Sequence, residues 1–167
     1  MAYILDQERS KDCSGAFQRY RQYLDRMRQT FPQSALKLAT SDWYFDFNDP
    51  RCPHDARLDS ATILEETKHT HSTPRPVSIR IRISLAHAGR LAEFFYPTVS
   101  SYTIQGIPTA GGHQDWRYDE FKLSDSGLLI HEIEWCGAHG TARWVIEASD
   151  VQYRIFDDVE TSRPGDK

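Results

Sequence analysis

The stretch from Trp116 to Trp135, WRYDEFKLSDSGLLIHEIEW, decides the fold because polar and apolar residues alternate on both sides of a turn. Alternation with a period of two is typical of a β-strand that has one buried and one wet face. A three-residue loop at 125–127, with Gly127 in the left-handed conformation of a bulged type I turn, would join the two strands as a hairpin. Ser124 then faces Leu128, and this register fixes every later pair.

The predicted register places a polar pair on the apolar face of the hairpin. Phe121 lies opposite His131 and Asp119 lies opposite Ile133, so that Asp119 and His131 become diagonal neighbours. A buried imidazole needs partners for its ring nitrogens, and a carboxylate one rung away can accept a hydrogen bond from one of them. We expect a structural pair that fixes the register; the alternative is a centre of chemistry.

The other face of the hairpin combines acidic and aromatic side chains. Glu120 is expected to lie opposite Glu132 in the open, although like charges directly opposed are unfavourable. Arg143 on the next strand would neutralise them; otherwise the face is an acidic aromatic patch suited to a basic protein partner. The candidate partner-binding residues are Trp116, Tyr118, Glu120, Glu132 and Glu134.

Further strands are indicated from residue 38 onward, where the period of the sequence changes to two. The candidates are 38–47, 57–67, 77–87, 91–96, 99–105, 116–124, 128–135, 142–148 and 151–157. The alternation is cleanest in 77–87, where isoleucines occupy one face and Arg80 and Arg82 the other. Short turns between consecutive strands favour antiparallel pairing.

An amphipathic helix is predicted over residues 14–31 from an apolar stripe at spacings of three and four. Asp12 or Ser14 can cap its start, and Pro32 stops it. The predicted fold class is α+β, with the N-terminal helix packed on a strongly curved, mostly antiparallel β-sheet or partial barrel of about seven or eight strands. At 167 residues the chain has the size of one domain, divided into a helical region 1–37, a sheet region 38–158 and a flexible tail 159–167.

Composition restricts the classes of partner. With 24 acidic and 20 basic residues the net charge is −4, which gives no global field for a nucleic-acid backbone. No segment has the apolar length of a membrane span, and the first residues lack the order of a signal peptide. Cys13, Cys52 and Cys136 are predicted to be free thiols in a reducing compartment. We therefore expect a cytoplasmic protein without a nucleic-acid or membrane partner.

Histidines and cysteines raise the question of a metal site. Cys52, His54, Cys136 and His139 could supply a zinc set from two loops, but the spacing lacks the usual pair of nearby cysteines. The segment 113–115 resembles half of an iron-binding triad, without a distal histidine far enough along the chain. A nucleophile elbow is also missing. We predict no cofactor, no bound metal and no enzymatic activity.

Two short motifs carry a resemblance. They are His54-Asp55-Ala56-Arg57-Leu58 before a strand, and Tyr118-Asp119-Glu120-Phe121 with Gly127 and His131 in the hairpin. Together they resemble small, uncharacterised bacterial β-rich proteins, some of which are similar to immunity proteins encoded beside secreted toxins. The resemblance covers residues 43–156 loosely. It implies a structural use of His54, Asp55 and His131, and it supplies no catalytic residue.

These observations predict a non-catalytic binding protein. Its sharpest form is an immunity-type protein that neutralises a basic bacterial toxin through the acidic aromatic face. The alternative is a metal- or small-ligand-binding protein, or a metalloenzyme, with a site among His54, Asp119, His131 and Cys136. A third interpretation is an interaction domain with a partner from its own pathway. The oligomeric state stays open, since an uncovered edge strand could pair two chains.

Overall fold

A computed structural model describes residues 2–5, 7–66, 75–86, 90–106, 112–138 and 140–157. These residues form two α-helices and a seven-stranded sheet, preceded by a 3-10 turn at Gln7–Ser10. In chain order the elements are α1 (Cys13–Met27), α2 (Gln33–Ala39), β1 (Arg57–Glu65), β2 (Val77–Ser84), β3 (Arg90–Ile104), β4 (Asp115–Leu123), β5 (Leu129–Gly137), β6 (Gly140–Ala148) and β7 (Gln152–Asp157). The predicted tail at 159–167 lies outside the described residues.

Helix α1 follows the predicted apolar stripe. The carboxylate of Asp12 accepts the N–H of Gly15 at 2.9 Å, so Asp12 rather than Ser14 is the cap. The helix ends at Met27, four residues before the predicted end. The chain continues in a turn, in which the carbonyl of Met27 accepts the N–H of Thr30 at 2.9 Å and that of Phe31 at 3.0 Å. Phe31 is nevertheless buried, which explains why its spacing extended the predicted stripe.

The predicted strand at 38–47 is wrong. Residues 33–39 form helix α2, and turns occupy most of 41–51. Pro32 precedes the helix, where its fixed φ is compatible with a helix start, and the carboxylate of Asp150 accepts the N–H of Ala35 at 3.0 Å. The buried residues of α2 have helical spacing; they are Ala35, Leu36, Leu38 and Ala39. The strand was predicted here because the alternating pattern further along the sequence was extended back to residue 38.

The sheet order is β2-β1-β4-β5-β6-β3-β7, and every pairing is antiparallel. Because β2 also pairs with β3, the pairing runs in a ring through six strands, and β7 joins the first half of β3. The link from β1 to β4 is a single pair, Arg57 opposite Asp115. The α+β class with a mostly antiparallel sheet is confirmed.

Strand β3 was predicted as two strands and is one. Its first half pairs with β2 and β7, and its second half pairs with β6. The register shifts between Val99 and Ser101, close to Pro97, which cannot donate to a ladder. The strand therefore changes partners at this point, and the change brings the two halves of the sheet together.

The core lies between the inner face of the sheet and the two helices. Its largest fully buried side chains are aromatic, with three tryptophans among them. The predicted inner face of β2 is confirmed, since Ile79, Ile81 and Ile83 are fully buried. Aromatic rings are therefore the largest side chains in this core.

The β4–β5 hairpin has the predicted register in the half next to its turn. Phe121 lies opposite His131, Glu120 lies opposite Glu132, and Gly127 has a φ of 79°. A register shift between Trp116 and Tyr118 then reverses the alternation, as a bulge does. Trp116 is therefore fully buried on the inner face, and its predicted place on the outer face is wrong.

Candidate functional site

His131 lies at the centre of a buried polar network. Its Nε2 lies 3.0 Å from Oδ2 of Asp119, and its Nδ1 lies 2.6 Å from the hydroxyl oxygen of Tyr96. Asp119 also accepts from the hydroxyl of Tyr44 at 2.7 Å and from Nε1 of Trp116 at 3.0 Å. The hydrogen bond between Asp119 and His131 that the register predicts is therefore present.

Proton positions in this network follow from the donor inventory. A carboxylate can only accept, so Nε2 of His131 carries a hydrogen and, in the neutral ring, Nδ1 accepts from Tyr96. Burial, reinforced by the charge of Asp119, raises the pKa of Tyr96 and of Tyr44 well above the usual range. Each group therefore has an internal partner, which is the arrangement of a structural polar core.

Glu120 lies opposite Glu132 as predicted, but its expected exposure is wrong. Its side chain is fully buried. The oxygen Oε2 accepts the backbone N–H groups of Tyr3, Ile4 and Leu5 at 2.9, 2.7 and 3.2 Å. The N-terminal segment thus lies across the outer face of β4 and is fastened there by a buried carboxylate.

Lys122 offsets the repulsion between the two opposed glutamates. Its Nζ lies 3.1 Å from Oε1 of Glu120 and 2.8 Å from Oε2 of Glu132. Burial lowers the pKa of Lys122, but the two carboxylates outweigh burial and raise it, so the amine stays charged. Arg143, the expected neutralising residue, instead lies 3.6 Å from Glu134.

The remaining residues of the acidic aromatic face are also engaged. Arg9 lies 2.9 Å from Glu134, and its guanidinium carbon lies 4.0 Å from the centre of the Tyr118 ring. Arg143 donates to the carbonyl of Leu5 at 3.1 Å. Three carboxylates therefore face three cations, and the chain's own N-terminal segment covers this face.

A second surface is open and positively charged. Arg80 and Arg82 of β2 and Arg154 of β7 surround Glu93 of β3 on the outer side of the sheet. Cross-strand register sets Arg82 opposite Glu93 and Glu93 opposite Arg154, while Arg80 lies opposite Phe95. We call Arg80, Arg82, Glu93, Phe95, Arg154 and Phe156 the arginine face.

The carboxylate of Glu93 holds the three guanidiniums together. It is only 2% exposed and lies 2.9 Å from Arg82, 2.7 Å from Arg154 and 3.6 Å from Arg80. Burial raises the pKa of Glu93, but the hydrogen bond from Arg82 and the charges of Arg80 and Arg154 outweigh burial and lower it. Three positive charges against one negative charge leave a net charge of +2 on these four residues.

The same guanidiniums lie beside aromatic rings and remain accessible. Arg80 lies 5.2 Å from the ring centre of Phe95, and Arg82 and Arg154 lie 5.5 and 5.8 Å from that of Phe156. The side chains of Arg80, Arg82 and Arg154 are 38%, 38% and 62% exposed. Within the described part of the chain, Nε of Arg80 is buried without a hydrogen-bond partner.

The sequence predicts only part of this surface. The alternation of 77–87 places Arg80 and Arg82 on the wet face, and that signal was visible. The pairing of β3 with β7, which brings Arg154 and Glu93 beside them, joins segments about sixty residues apart. No local pattern in the sequence indicates that pairing.

The His54-Asp55 motif fastens a loop to β4. The ring of His54 stacks on Phe47 with 4.1 Å between ring centres, and Nδ1 lies 3.1 Å from Oδ1 of Asp55. Asp55 has a φ of 63° and donates its N–H to the carbonyl of Trp116 at 2.8 Å. Asp tolerates this left-handed conformation better than most residues. Burial lowers the pKa of His54.

The cysteines and histidines do not assemble in the part of the chain that is described. There, no group of three His, Cys, Asp or Glu side chains is placed to hold a metal ion. The thiol of Cys52 donates to the carbonyl of Tyr44 at 3.0 Å, and burial raises its pKa to about 12. His139, one of the four zinc candidates, lies outside the described residues.

No helix in the described ranges is long and apolar enough to cross a membrane. Comparison with known proteins gave no match, whether with protein families, with curated proteins or with solved structures. The resemblance to immunity-type proteins therefore stays a prediction, and the geometry of this chain is the basis for the function.

Proposed function

We propose that this chain is a non-catalytic binding protein that docks an acidic segment of a partner protein on the arginine face. The observation that supports the proposal is the buried carboxylate of Glu93, which holds three accessible guanidiniums together with a net charge of +2. Three free cysteines support a cytoplasmic location.

The arginine face has the chemistry of an interface. Arginine and aromatic side chains are enriched at protein interfaces, and a guanidinium presents five N–H donors in a planar fork that fits a carboxylate. Contacts to Glu93 and to the Phe156 ring limit the freedom of Arg82 and Arg154 before any partner arrives. Less side-chain entropy is then lost on binding, which favours affinity.

The immunity-type function remains part of this proposal in an altered form. The acidic aromatic face was expected to mask a basic toxin, yet its carboxylates are paired with Lys122, Arg9 and Arg143. The arginine face instead selects an acidic partner. Co-expression with the product of the adjacent gene decides whether that partner is a toxin.

A defined peptide tests the surface directly. Fluorescence anisotropy of a labelled glutamate-rich peptide should show binding that weakens as salt rises, since exposed charges are screened. The double variant Arg82→Gln with Arg154→Gln should weaken binding at least about tenfold, because it removes two of the three charge-assisted contacts.

Matched variants separate this proposal from general charge attraction. Arg21 and Arg26 are exposed on α1, so Arg21→Gln with Arg26→Gln makes the same change in net charge elsewhere. Glu132→Gln alters the acidic aromatic face instead. Equal loss of binding in the arginine-face and α1 variants would overturn the proposal. Loss of binding in Glu132→Gln without loss in the arginine-face variant would also overturn it.

A further inference from the structure

The arginine face carries a more specific inference, which rests on the proposed function. We infer that its guanidiniums recognise a single phosphoryl group, so that the acidic segment of the partner is a phosphorylated peptide. The charge of the cluster, the spacing of its arginines and the net charge of the whole chain support this assignment.

The charge of the cluster matches that of one phosphoryl group. Arg80, Arg82 and Arg154 with Glu93 carry a net +2. A phosphate monoester carries about −1.5 to −2 at neutral pH and offers three strong acceptor oxygens. One carboxylate carries a single negative charge and would leave part of the cluster uncompensated. A phosphoryl group therefore matches the cluster better than one glutamate or aspartate does.

The guanidiniums of Arg82 and Arg154 lie close together. Arg82 and Arg154 project from strands on either side of β3, so about 10 Å of sheet separates their backbones. Both side chains nevertheless reach the same carboxylate, at 2.9 and 2.7 Å, which brings the two guanidiniums close enough to share one further anion. Each of these two guanidiniums retains N–H groups that Glu93 does not use.

Net charge decides between a phosphopeptide and a nucleic acid. A polyanion needs an extended track of cations, whereas this chain has a net charge of −4. One phosphoryl group needs only a local cluster, and Arg clusters are a recurrent way of recognising phosphorylated motifs. The observations therefore favour a singly phosphorylated segment.

Residues that flank the phosphoryl group have a place beside the cluster. Gln152 lies opposite Phe95 at the margin of the arginine face. Gln152 also borders a cavity of about 340 Å³ that Trp43 and Lys37 line. A side chain next to the phosphorylated residue would lie against Phe95 or Gln152.

Peptides of one sequence test the inference. An acetylated and amidated peptide, Gly-Ala-Ser-Ala-Gly, is prepared with serine unmodified, with serine phosphorylated and with glutamate in its place. The phosphorylated form should bind at least about tenfold more tightly than the glutamate form at neutral pH. Its affinity should fall between about pH 7.5 and 5.5, because the second phosphate pKa is about 6, while that of the glutamate form stays level.

Variants show whether the arginine face is responsible. Arg82→Lys with Arg154→Lys keeps the charge but removes the planar fork, and should reduce phosphopeptide affinity at least about fivefold. Arg21→Gln with Arg26→Gln should leave it unchanged. Circular dichroism checks that each variant is folded.

The outcomes distinguish the two proposals. Equal affinity for the phosphorylated and glutamate forms overturns this inference and leaves the proposed function standing. No binding of the phosphorylated or glutamate-rich peptides overturns both. Tighter binding of a single-stranded oligonucleotide than of the phosphopeptide, at physiological salt, overturns the inference in favour of a nucleic-acid ligand.

Discussion

Nε2 of His131 and Oδ2 of Asp119 lie 3.0 Å apart in the centre of the core, where neither side chain is more than 4% exposed. The carboxylate accepts from three buried side chains, Tyr44, Trp116 and His131. A group with this many buried donors cannot be replaced by a neutral amide without leaving one of them unpaired.

Asp119→Asn should therefore destabilise the protein by about 3 kcal/mol, because an amide nitrogen would face a donor that the carboxylate now accepts from. Urea unfolding followed by tryptophan fluorescence measures the change. Asp42→Asn is the matched control, since Asp42 is exposed. A loss below about 1 kcal/mol in Asp119→Asn would show that these hydrogen bonds do not stabilise the core as proposed.

The polar pair was predictable because it depends on one hairpin. Alternation fixed the opposition of Phe121 and His131, and Gly127 fixed the turn. The bulge after Trp116 was not predictable, because it depends on a contact outside the hairpin. At this point β4 also bonds to the loop around Ala56, whose carbonyl accepts the N–H of Trp116 at 2.8 Å. Sequence patterns report the period of a strand and not the position where one residue is added.

The burial of Glu120 shows a second kind of failure. A glutamate on the wet face of a strand is expected to be exposed, and only the distant N–H groups of Tyr3, Ile4 and Leu5 reverse that expectation. Contacts across more than a hundred residues leave no local pattern. For the same reason, the sequence indicated Arg80 and Arg82 on the arginine face but not Arg154, which a distant strand pairing brings beside them.

Glu120→Gln should loosen the N-terminal segment. The neutral amide can accept fewer and weaker hydrogen bonds from the backbone of residues 3–5, at a cost of about 1 to 2 kcal/mol. Hydrogen exchange at the amides of Ile4 and Leu5 should accelerate. Glu147→Gln is the control, because Glu147 contacts the hydroxyls of Ser101 and Ser126 instead. Unchanged exchange at Ile4 and Leu5 would contradict the assigned contacts.

The hydroxyl of Tyr20 occupies the edge of β4. It accepts the N–H of Phe121 at 2.7 Å and donates to the carbonyl of Phe121 at 3.1 Å, where the ladder from β1 does not reach. Tyr20→Phe should cost about 1 to 3 kcal/mol, since both backbone groups lose a buried partner. Chemical unfolding measures the loss, and Tyr102→Phe at an exposed position is the control. An equal effect of both substitutions would exclude an edge-specific role.

Cys13 and Cys52 should differ in reactivity. Cys13 is exposed, whereas burial raises the pKa of Cys52 to about 12, so its thiolate is scarce at about pH 8. A disulfide reagent whose thiolate leaving group absorbs light should therefore modify Cys13 rapidly. Cys13→Ser should lower the amplitude of the rapid phase by one thiol, and Cys52→Ser should not change it. A rapid phase that disappears in Cys52→Ser would contradict the burial of that thiol.

The stability of the protein should depend on pH through His54. Burial lowers its pKa below the ordinary 6.5, and Arg117 adds to this while Asp55 opposes it. The unfolded chain therefore binds the proton more readily than the folded one, so the free energy of unfolding is highest above pH 6.5 and falls as the pH drops through the folded pKa. Titration of the His54 ring proton by NMR measures that pKa directly.

Phe47→Ala isolates the contribution of burial to that shift. The substitution removes the ring stacked 4.1 Å from His54, which readmits water and should move the pKa back toward 6.5. The difference in unfolding free energy between about pH 7.5 and 5.5 should shrink accordingly. Phe156→Ala, on the arginine face, should leave the His54 pKa unchanged. A His54 pKa at or above 6.5 in the unaltered chain, or one that Phe47→Ala does not move, would show that the Phe47 ring is not what keeps this imidazole neutral.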